Sequence, residues 1–178
     1  SYYGNKIDAI SNFINFNTIY KNSFTLIHHL APHPPYIHNA DCSIKDQINT
    51  TITSGESIGY KDAYLCSLKK IEELIQFLNE KDPDAFVMIA ADHGWNINSK
   101  FSNNEEYDKF NEKTIIYNSI KIDEKCKKNL PKILDNINSI RLVIGCAINK
   151  KPIYIKSEIF YGYLEENKSK YGKVYKLN

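Results

Sequence analysis

Apolar residues recur every three or four positions over residues 60–79, on one face of a helix whose other faces carry lysine and glutamate. This stripe predicts the best-defined helix of the chain. Similar but weaker patterns predict a short helix at 7–19 and a longer helix at 130–148, with Pro131 in its first turn. The chain therefore contains amphipathic helices that must bury one face.

Short apolar runs bounded by polar residues predict strands. They lie at residues 24–30, 84–91, 113–120, 154–164 and 173–177. Strand, helix and strand follow one another in series, which predicts an α/β fold with a mainly parallel sheet flanked by helices. No repeat, linker or low-complexity segment divides the chain, and 178 residues with 42% hydrophobic content can bury a core. We therefore expect a single domain over residues 1–178.

The predicted strand at 84–91 ends in a polar corner, Asp92-His93-Gly94. In open α/β sheets, ligands and catalytic groups collect outside the carboxyl ends of strands. Gly94 allows the backbone to turn sharply, and a carboxylate beside an imidazole suits a divalent metal ion. Asp92 and His93 are therefore candidate metal ligands. The alternative is an ordinary polar turn that follows a buried strand.

A second histidine follows the predicted strand at 24–30. His33 lies within Pro32-His33-Pro34-Pro35, and the prolines stiffen the loop that carries it. We expect His33 to lie at the same edge of the sheet as Asp92 and His93. His28 and His29 occupy adjacent strand positions that point to opposite faces, so we interpret them as core or interface histidines.

These segments together resemble a known family. Pro-His-Pro-Pro-Tyr at 32–36, the helix at 60–79 and Asp-His-Gly at 92–94 resemble the sulfatase-like branch of the alkaline phosphatase superfamily. The resemblance is nearest to membrane-anchored bacterial relatives of lipoteichoic acid synthases and phosphoethanolamine transferases. It extends through residues 136–145 and 152–161, and covers most of residues 24–178.

The resemblance implies an α/β/α sandwich of the alkaline phosphatase type, of which this chain is the C-terminal portion. It also implies a divalent ion (manganese, zinc, magnesium or calcium) bound by Asp92 and His93, which the isolated portion need not retain. His33 would contact the phosphoryl or sulfuryl group of a phosphate or sulfate ester on a lipid or glycan. The family's Thr, Ser or Cys nucleophile precedes the segment equivalent to residue 24, so we expect it upstream of this chain. The threonines at 50, 51 and 53 are interpreted as loop residues.

The charge and hydropathy of the chain exclude some functions. A net charge of +2 and a pI near 8.2 do not indicate nucleic-acid binding. No run approaches the about 20 apolar residues that span a bilayer. In the family the catalytic domain lies outside the cytoplasmic membrane, so we expect a periplasmic or cell-surface location and a parent protein anchored in the bacterial inner membrane.

Four cysteines occur at 42, 66, 126 and 146, and none forms a Cys-x-x-Cys pair. An even number in an extracytoplasmic domain indicates disulfides, for which four cysteines allow three pairings. Their placement favours Cys42 with Cys66, across the polar loop, and Cys126 with Cys146, from a turn to the C-terminal helix. The alternative is four reduced thiols in a cytosolic protein.

Two functions of different class follow from these patterns. The chain is either part of a metal-dependent phospho- or sulfo-ester hydrolase or transferase, or a non-catalytic binding or structural module that keeps the Asp-His-Gly geometry. An acidic metal ligand and a hydroxyl nucleophile upstream in the same gene would favour the enzyme.

Overall fold

The computed structural model describes residues 8–16, 18–48, 59–94, 115–164 and 171–177, with side chains up to residue 158. The helices are α1 (Ala9–Phe16), α2 (Tyr60–Lys81), α3 (Glu124–Lys127) and α4 (Asn136–Ala147). The strands are β1 (Val87–Ala90), β2 (Asn118–Lys121), β3 (Ile159–Leu164) and β4 (Tyr171–Leu177). The chain divides into two compact units, with a boundary between Ala85 and Phe86. That residues 1–178 form a single domain stays a prediction.

In the first unit α1 packs against α2. Phe13 and Phe77 meet edge to face with ring centroids 5.9 Å apart, which is a favourable aromatic geometry. Lys70 of α2 reaches the start of α1, where its Nζ lies 3.6 Å from Asp8 Oδ2 and donates to Ser11 Oγ at 3.0 Å. A helix is confirmed within each of the predicted ranges 7–19 and 60–79, although α1 is shorter, from Ala9 to Phe16, and α2 extends to Lys81.

The loop before α2 is fixed by burial and by a covalent bond. Tyr36 and Ile37 are buried, and the Ile37 carbonyl accepts from Lys45 N at 2.8 Å, which closes the loop between them. Cys42 lies near the tip of this loop, and its Sγ is bonded to that of Cys66 on α2 at 2.14 Å. The bridge therefore ties the segment that follows His33 to the main helix.

The second unit is built around α4. β1 and β2 pair antiparallel, with Val87 opposite Lys121 and Ala90 opposite Asn118, and α4 packs on this pair of strands. Leu142 of α4 is 0% exposed and forms the core with the disulfide-bonded Cys126 and Cys146. Around this cluster pack Phe86, Ile120, Ile122, Leu134 and Tyr154.

α4 begins later than its apolar pattern predicts. The predicted start at residue 130, with Pro131 in the first turn, is wrong because Asp135 caps the helix and Asn136 is its first residue. The carboxylate of Asp135 accepts from Asn138 N at 2.7 Å and from Ser157 Oγ at 2.8 Å. The bond from Asn138 N satisfies one of the orphan donors at the helix N-terminus, so the cap decides the boundary.

α4 ends in a Schellman motif. Asn149 adopts φ 53° and donates to Cys146 O at 3.0 Å, while Lys150 N donates to Gly145 O at 2.7 Å. The returning chain passes very close to the helix, since a Cβ at Gly145 would lie 2.8 Å from the Lys150 carbonyl oxygen. Only a glycine leaves room for this close approach.

The expected mainly parallel α/β sandwich is wrong. In the described ranges there are two two-stranded sheets, β1 with β2 and β3 with β4, and both are antiparallel. Residues 24–30 are not assigned to a strand, and Phe24 and Leu26 are 76% and 81% exposed. An apolar run predicts an extended segment but carries no information on the direction or identity of its partner, which depend on the connections. No helix in these ranges has both the length and the apolar character needed to cross a bilayer.

Candidate functional site

The backbone is held by hydrogen bonds on both sides of Ala91, immediately before the Asp92-His93 corner. Ala91 N donates to Tyr117 O at 2.9 Å, which extends the pairing of β1 with β2 by one hydrogen bond beyond β1. The Ala91 carbonyl accepts from Nδ2 of Asn136, the first residue of α4, also at 2.9 Å. The Asp92-His93 corner therefore starts from a residue, Ala91, whose backbone is held in place within the second unit.

Asp92 and His93 are held by local hydrogen bonds. Asp92 Oδ1 accepts from His93 N at 3.0 Å, and His93 Nδ1 lies 2.6 Å from Gly94 O. A carbonyl oxygen only accepts, so Nδ1 carries the proton and Nε2 of the neutral ring keeps its lone pair. This Nε2 lies 3.9 Å from Asp92 Oδ2, and the two side chains are 57% and 90% exposed.

His93 Nε2 and Asp92 Oδ2 are atoms of the kinds that bind divalent metal ions. Metal-binding histidines commonly donate their other ring N–H to a backbone carbonyl, as His93 does to Gly94. With metal–ligand distances of about 2.0–2.2 Å, one ion can reach both Nε2 and Oδ2. Among the residues described here, no group of three or more His, Cys, Asp or Glu side chains is placed to hold a metal. The corner therefore offers two ligands, and any others must come from elsewhere.

His33, which lies in the first unit, makes the same kind of hydrogen bond as His93. Its Nδ1 lies 2.7 Å from Pro34 O, so Nδ1 donates and Nε2 is again the free nitrogen. Its backbone N–H donates to Leu30 O at 2.9 Å, and its side chain is exposed. His33 and the corner belong to different units. Their convergence at one edge of a sheet stays a prediction.

His28 and His29 have different surroundings. His28 is exposed, so it is not a core histidine, and its interpretation as an interface histidine stays a prediction. His29 is half-buried, and its Nδ1 is buried without a hydrogen-bond partner among the described residues. Burial lowers the pKa of His29, the carboxylate of Asp8 opposes this shift, and the charges of His38 and Lys70 add to it. Burial in the first unit therefore disfavours the charged form of His29.

Two asparagines near the corner could not be singled out from the sequence. Asn118 Nδ2 donates to Ser139 Oγ at 2.9 Å, and Asn136 Nδ2 donates to Ala91 O. The Oδ1 atoms of both are buried and have no hydrogen-bond partner in the described ranges. The chain is rich in asparagine, so neither position carries a signal of its own.

Both predicted disulfides are confirmed. Cys126 and Cys146 are bonded at 2.18 Å, as are Cys42 and Cys66 at 2.14 Å, so the chain has no free cysteine. Disulfides are typical of oxidising environments outside the cytoplasm, which the pairing therefore favours. The threonines at 50, 51 and 53 lie outside the described residues.

Comparison with protein-family models, with curated proteins and with solved structures finds no match to this chain. The resemblance to sulfatase-like enzymes stays a prediction from the motifs at 32–36 and 92–94.

Proposed function

We propose that this chain contributes part of the active site of a metal-dependent phospho- or sulfo-ester hydrolase or transferase. Asp92 and His93 would bind the metal, and His33 would contact the phosphoryl or sulfuryl group. One observation carries the proposal. The His93 ring donates Nδ1–H to Gly94 O, and its free Nε2 lies 3.9 Å from the exposed Oδ2 of Asp92.

The chemistry follows from the ligand types. A divalent ion at such a site polarises an ester oxygen and lowers the pKa of an attacking hydroxyl. Asp92 supplies negative charge and His93 a neutral nitrogen, a pair that suits manganese or zinc better than the all-oxygen site that calcium prefers. The nucleophile, by the family resemblance, comes from outside these 178 residues.

The compartment is part of the same proposal. The two disulfides support an oxidising location, and the resemblance points to the periplasm or cell surface. The substrate would then be a lipid or glycan ester of the cell envelope, and the parent protein would be anchored in the inner membrane.

Metal titration by calorimetry tests the ligands. We expect the wild-type chain to bind Mn²⁺ or Zn²⁺, and His93→Ala and Asp92→Asn each to lower the affinity at least about tenfold, because each removes one of two ligands. Asp84→Asn is the matched control, since Asp84 is an exposed carboxylate before β1, and it should bind like the wild type. Equal affinity in all four proteins, or no binding by the wild type, would overturn the metal site and favour the non-catalytic module.

Ester turnover tests the missing nucleophile. With Mn²⁺ or Zn²⁺ added, we expect these 178 residues alone to hydrolyse neither phosphate nor sulfate monoesters or diesters. Metal-dependent turnover that Asp92→Ala abolishes would show that the chain carries its own nucleophile, and would refute this part of the proposal.

A further inference from the structure

The first residue of α4 is bonded to the last residue before the corner. Asn136 Nδ2 donates to Ala91 O at 2.9 Å across 45 residues of sequence. Because Ala91 N is bonded to Tyr117 O, both backbone groups of Ala91 are occupied. The peptide plane that leads into Asp92 is therefore fixed by a side chain of α4 and not by the corner itself.

Asn136 is held on a rigid support. Asp135 caps α4 through Asn138 N at 2.7 Å, and Ser157 Oγ donates to the same carboxylate at 2.8 Å. One and a half turns further along, Leu142 is fully buried against the disulfide of Cys126. A side chain mounted on such a helix end has little freedom to follow a moving loop.

The amide of Asn136 is hydrogen-bonded at one end only among the described residues. Its Nδ2 has a partner, but its Oδ1 is buried and has none among the described residues. A buried acceptor without a hydrogen bond is unfavourable, and an apolar side chain at the same position would avoid the loss. What the amide provides in return is the bond to Ala91.

We infer that Asn136 is a positioning residue for the Asp92-His93 corner. By holding the Ala91 carbonyl it sets the direction in which the chain enters the corner, and so keeps His93 Nδ1 bonded to Gly94 O with Nε2 free. The role in metal binding rests on the proposed function, while the role in shaping the corner rests on the hydrogen bonds alone. Residues that orient metal ligands typically change metal affinity by about 10–100-fold when they are removed.

Nitrogen-15 NMR of the histidine rings tests the inference in the full chain, without metal and during a Zn²⁺ titration. We expect Asn136→Ala to shift the His93 ring away from the Nδ1–H tautomer and to weaken Zn²⁺ binding at least about tenfold. Ile137→Ala is the control, because Ile137 is exposed in the same helical turn, and it should leave both readouts unchanged.

A second variant separates positioning from folding. Asn136→Leu removes the amide donor together with the buried Oδ1 that has no partner among the described residues, so it leaves no unpaired acceptor and should fold. It should still lose the His93 tautomer preference. An unchanged tautomer in a folded Asn136→Leu chain would overturn the inference. A changed tautomer in Asn136→Leu, together with a wild-type chain that binds no Zn²⁺, would support the inference and reject the proposed metal site.

Discussion

His33 and His93 share one local hydrogen bond but are fixed by different means. In each case the ring Nδ1 donates to the carbonyl of the next residue, Pro34 or Gly94, and leaves Nε2 free. The segment that follows His33 is tied covalently to α2 through Cys42, nine residues after His33. The corner of His93 is tied by one amide bond to α4.

This difference predicts which change would disturb the position of each histidine. Reduction acts directly on the segment that follows His33, because the Cys42–Cys66 bond ties that segment to α2. In the second unit the Cys126–Cys146 bond supports α4, so it reaches the corner only through that helix. The conformation of the segment that follows His33 therefore depends on the redox state of the cysteines. The conformation of the corner depends on the packing of α4.

The largest expected effect comes from the packing of α4. Leu142→Ala should destabilise the second unit by about 3–5 kcal/mol, because it leaves a cavity at a fully buried position beside the disulfide. Urea denaturation followed by circular dichroism measures the loss. Ile148→Ala, at the exposed end of the same helix, should change stability by less than about 0.5 kcal/mol. Similar values for both variants would show that α4 does not carry the core.

Removal of either disulfide should cost about 3 kcal/mol, since the bridges close loops of similar length, with sequence separations of 24 and 20. The comparison is sharpened by pairing Cys42→Ser with Cys66→Ser, and Cys126→Ser with Cys146→Ser. The Cys42→Ser, Cys66→Ser chain should lose the preference of the His33 ring for the Nδ1–H tautomer. The tautomer of His93 should be unchanged in that chain. Peptide mapping without reduction checks the native pairing, and cross-paired peptides would contradict it.

Helices α1 and α2 and the disulfides could be predicted because their signals are local, whereas the short α3, at residues treated as a turn, was not predicted. The apolar stripe of α2 and the placement of the four cysteines need no knowledge of distant contacts. For α4, two local signals competed, and the cap at Asp135 determined the start instead of Pro131. A capping side chain satisfies orphan N–H donors at the helix end, whereas a proline only tolerates that place.

The sheet and the support of the corner could not be predicted in this way. Residues 84–91 and 113–120 have the same apolar character whether they pair parallel or antiparallel, and β1 and β2 are antiparallel. The bond from Asn136 to Ala91 joins positions far apart in sequence, and nothing about an asparagine at a helix start distinguishes it. Sequence patterns identified Asp92 and His93, but not the residue that holds the backbone before them.

Helix caps give a smaller effect that compares α4 with α3. Asp135→Ala should cost about 1–2 kcal/mol, because Asp135 accepts from a backbone N–H, a side-chain amide and a hydroxyl. Asp123→Ala, at the exposed cap of the short α3, should cost about 0.5 kcal/mol, since the carboxylate accepts from Cys126 N alone in the described contacts. Thermal unfolding gives both values, and the reverse order would contradict the assigned caps.

The smallest effect is a pH dependence of the first unit. Burial lowers the pKa of His29 and of His38 below 6.5, with Asp8 opposing and Lys70 reinforcing both shifts, and Lys45 acting on His38. Below pH 6.5 the unfolded chain therefore binds more protons than the folded one, and stability falls as the pH falls toward the folded pKa values.

Asp8 adds a separate loss at lower pH. Burial raises the pKa of Asp8, but hydrogen bonds from Ser11 and the charge of Lys70 outweigh it, so the pKa lies below 3.8. Stability from Asp8 is present above pH 3.8 and is lost as the pH falls through its lowered pKa.

Urea titrations between pH 7 and pH 5 test the shift of His29. His29→Gln should flatten the dependence of stability on pH by less than about one proton. Equal slopes in the wild type and His29→Gln would contradict the assignment.

The close return of the chain over α4 limits what natural variation can do there. Any side chain at Gly145 would push a Cβ to within 2.8 Å of the Lys150 carbonyl, while the neighbouring Ile144 is exposed and free of such a limit. In a library with both positions randomised and selected for secretion, we expect residue 145 to remain glycine and residue 144 to accept many amino acids. The spacing from this glycine to Cys146 and Asn149 would then be a better signature for finding relatives than the hydrophobic pattern of the helix itself.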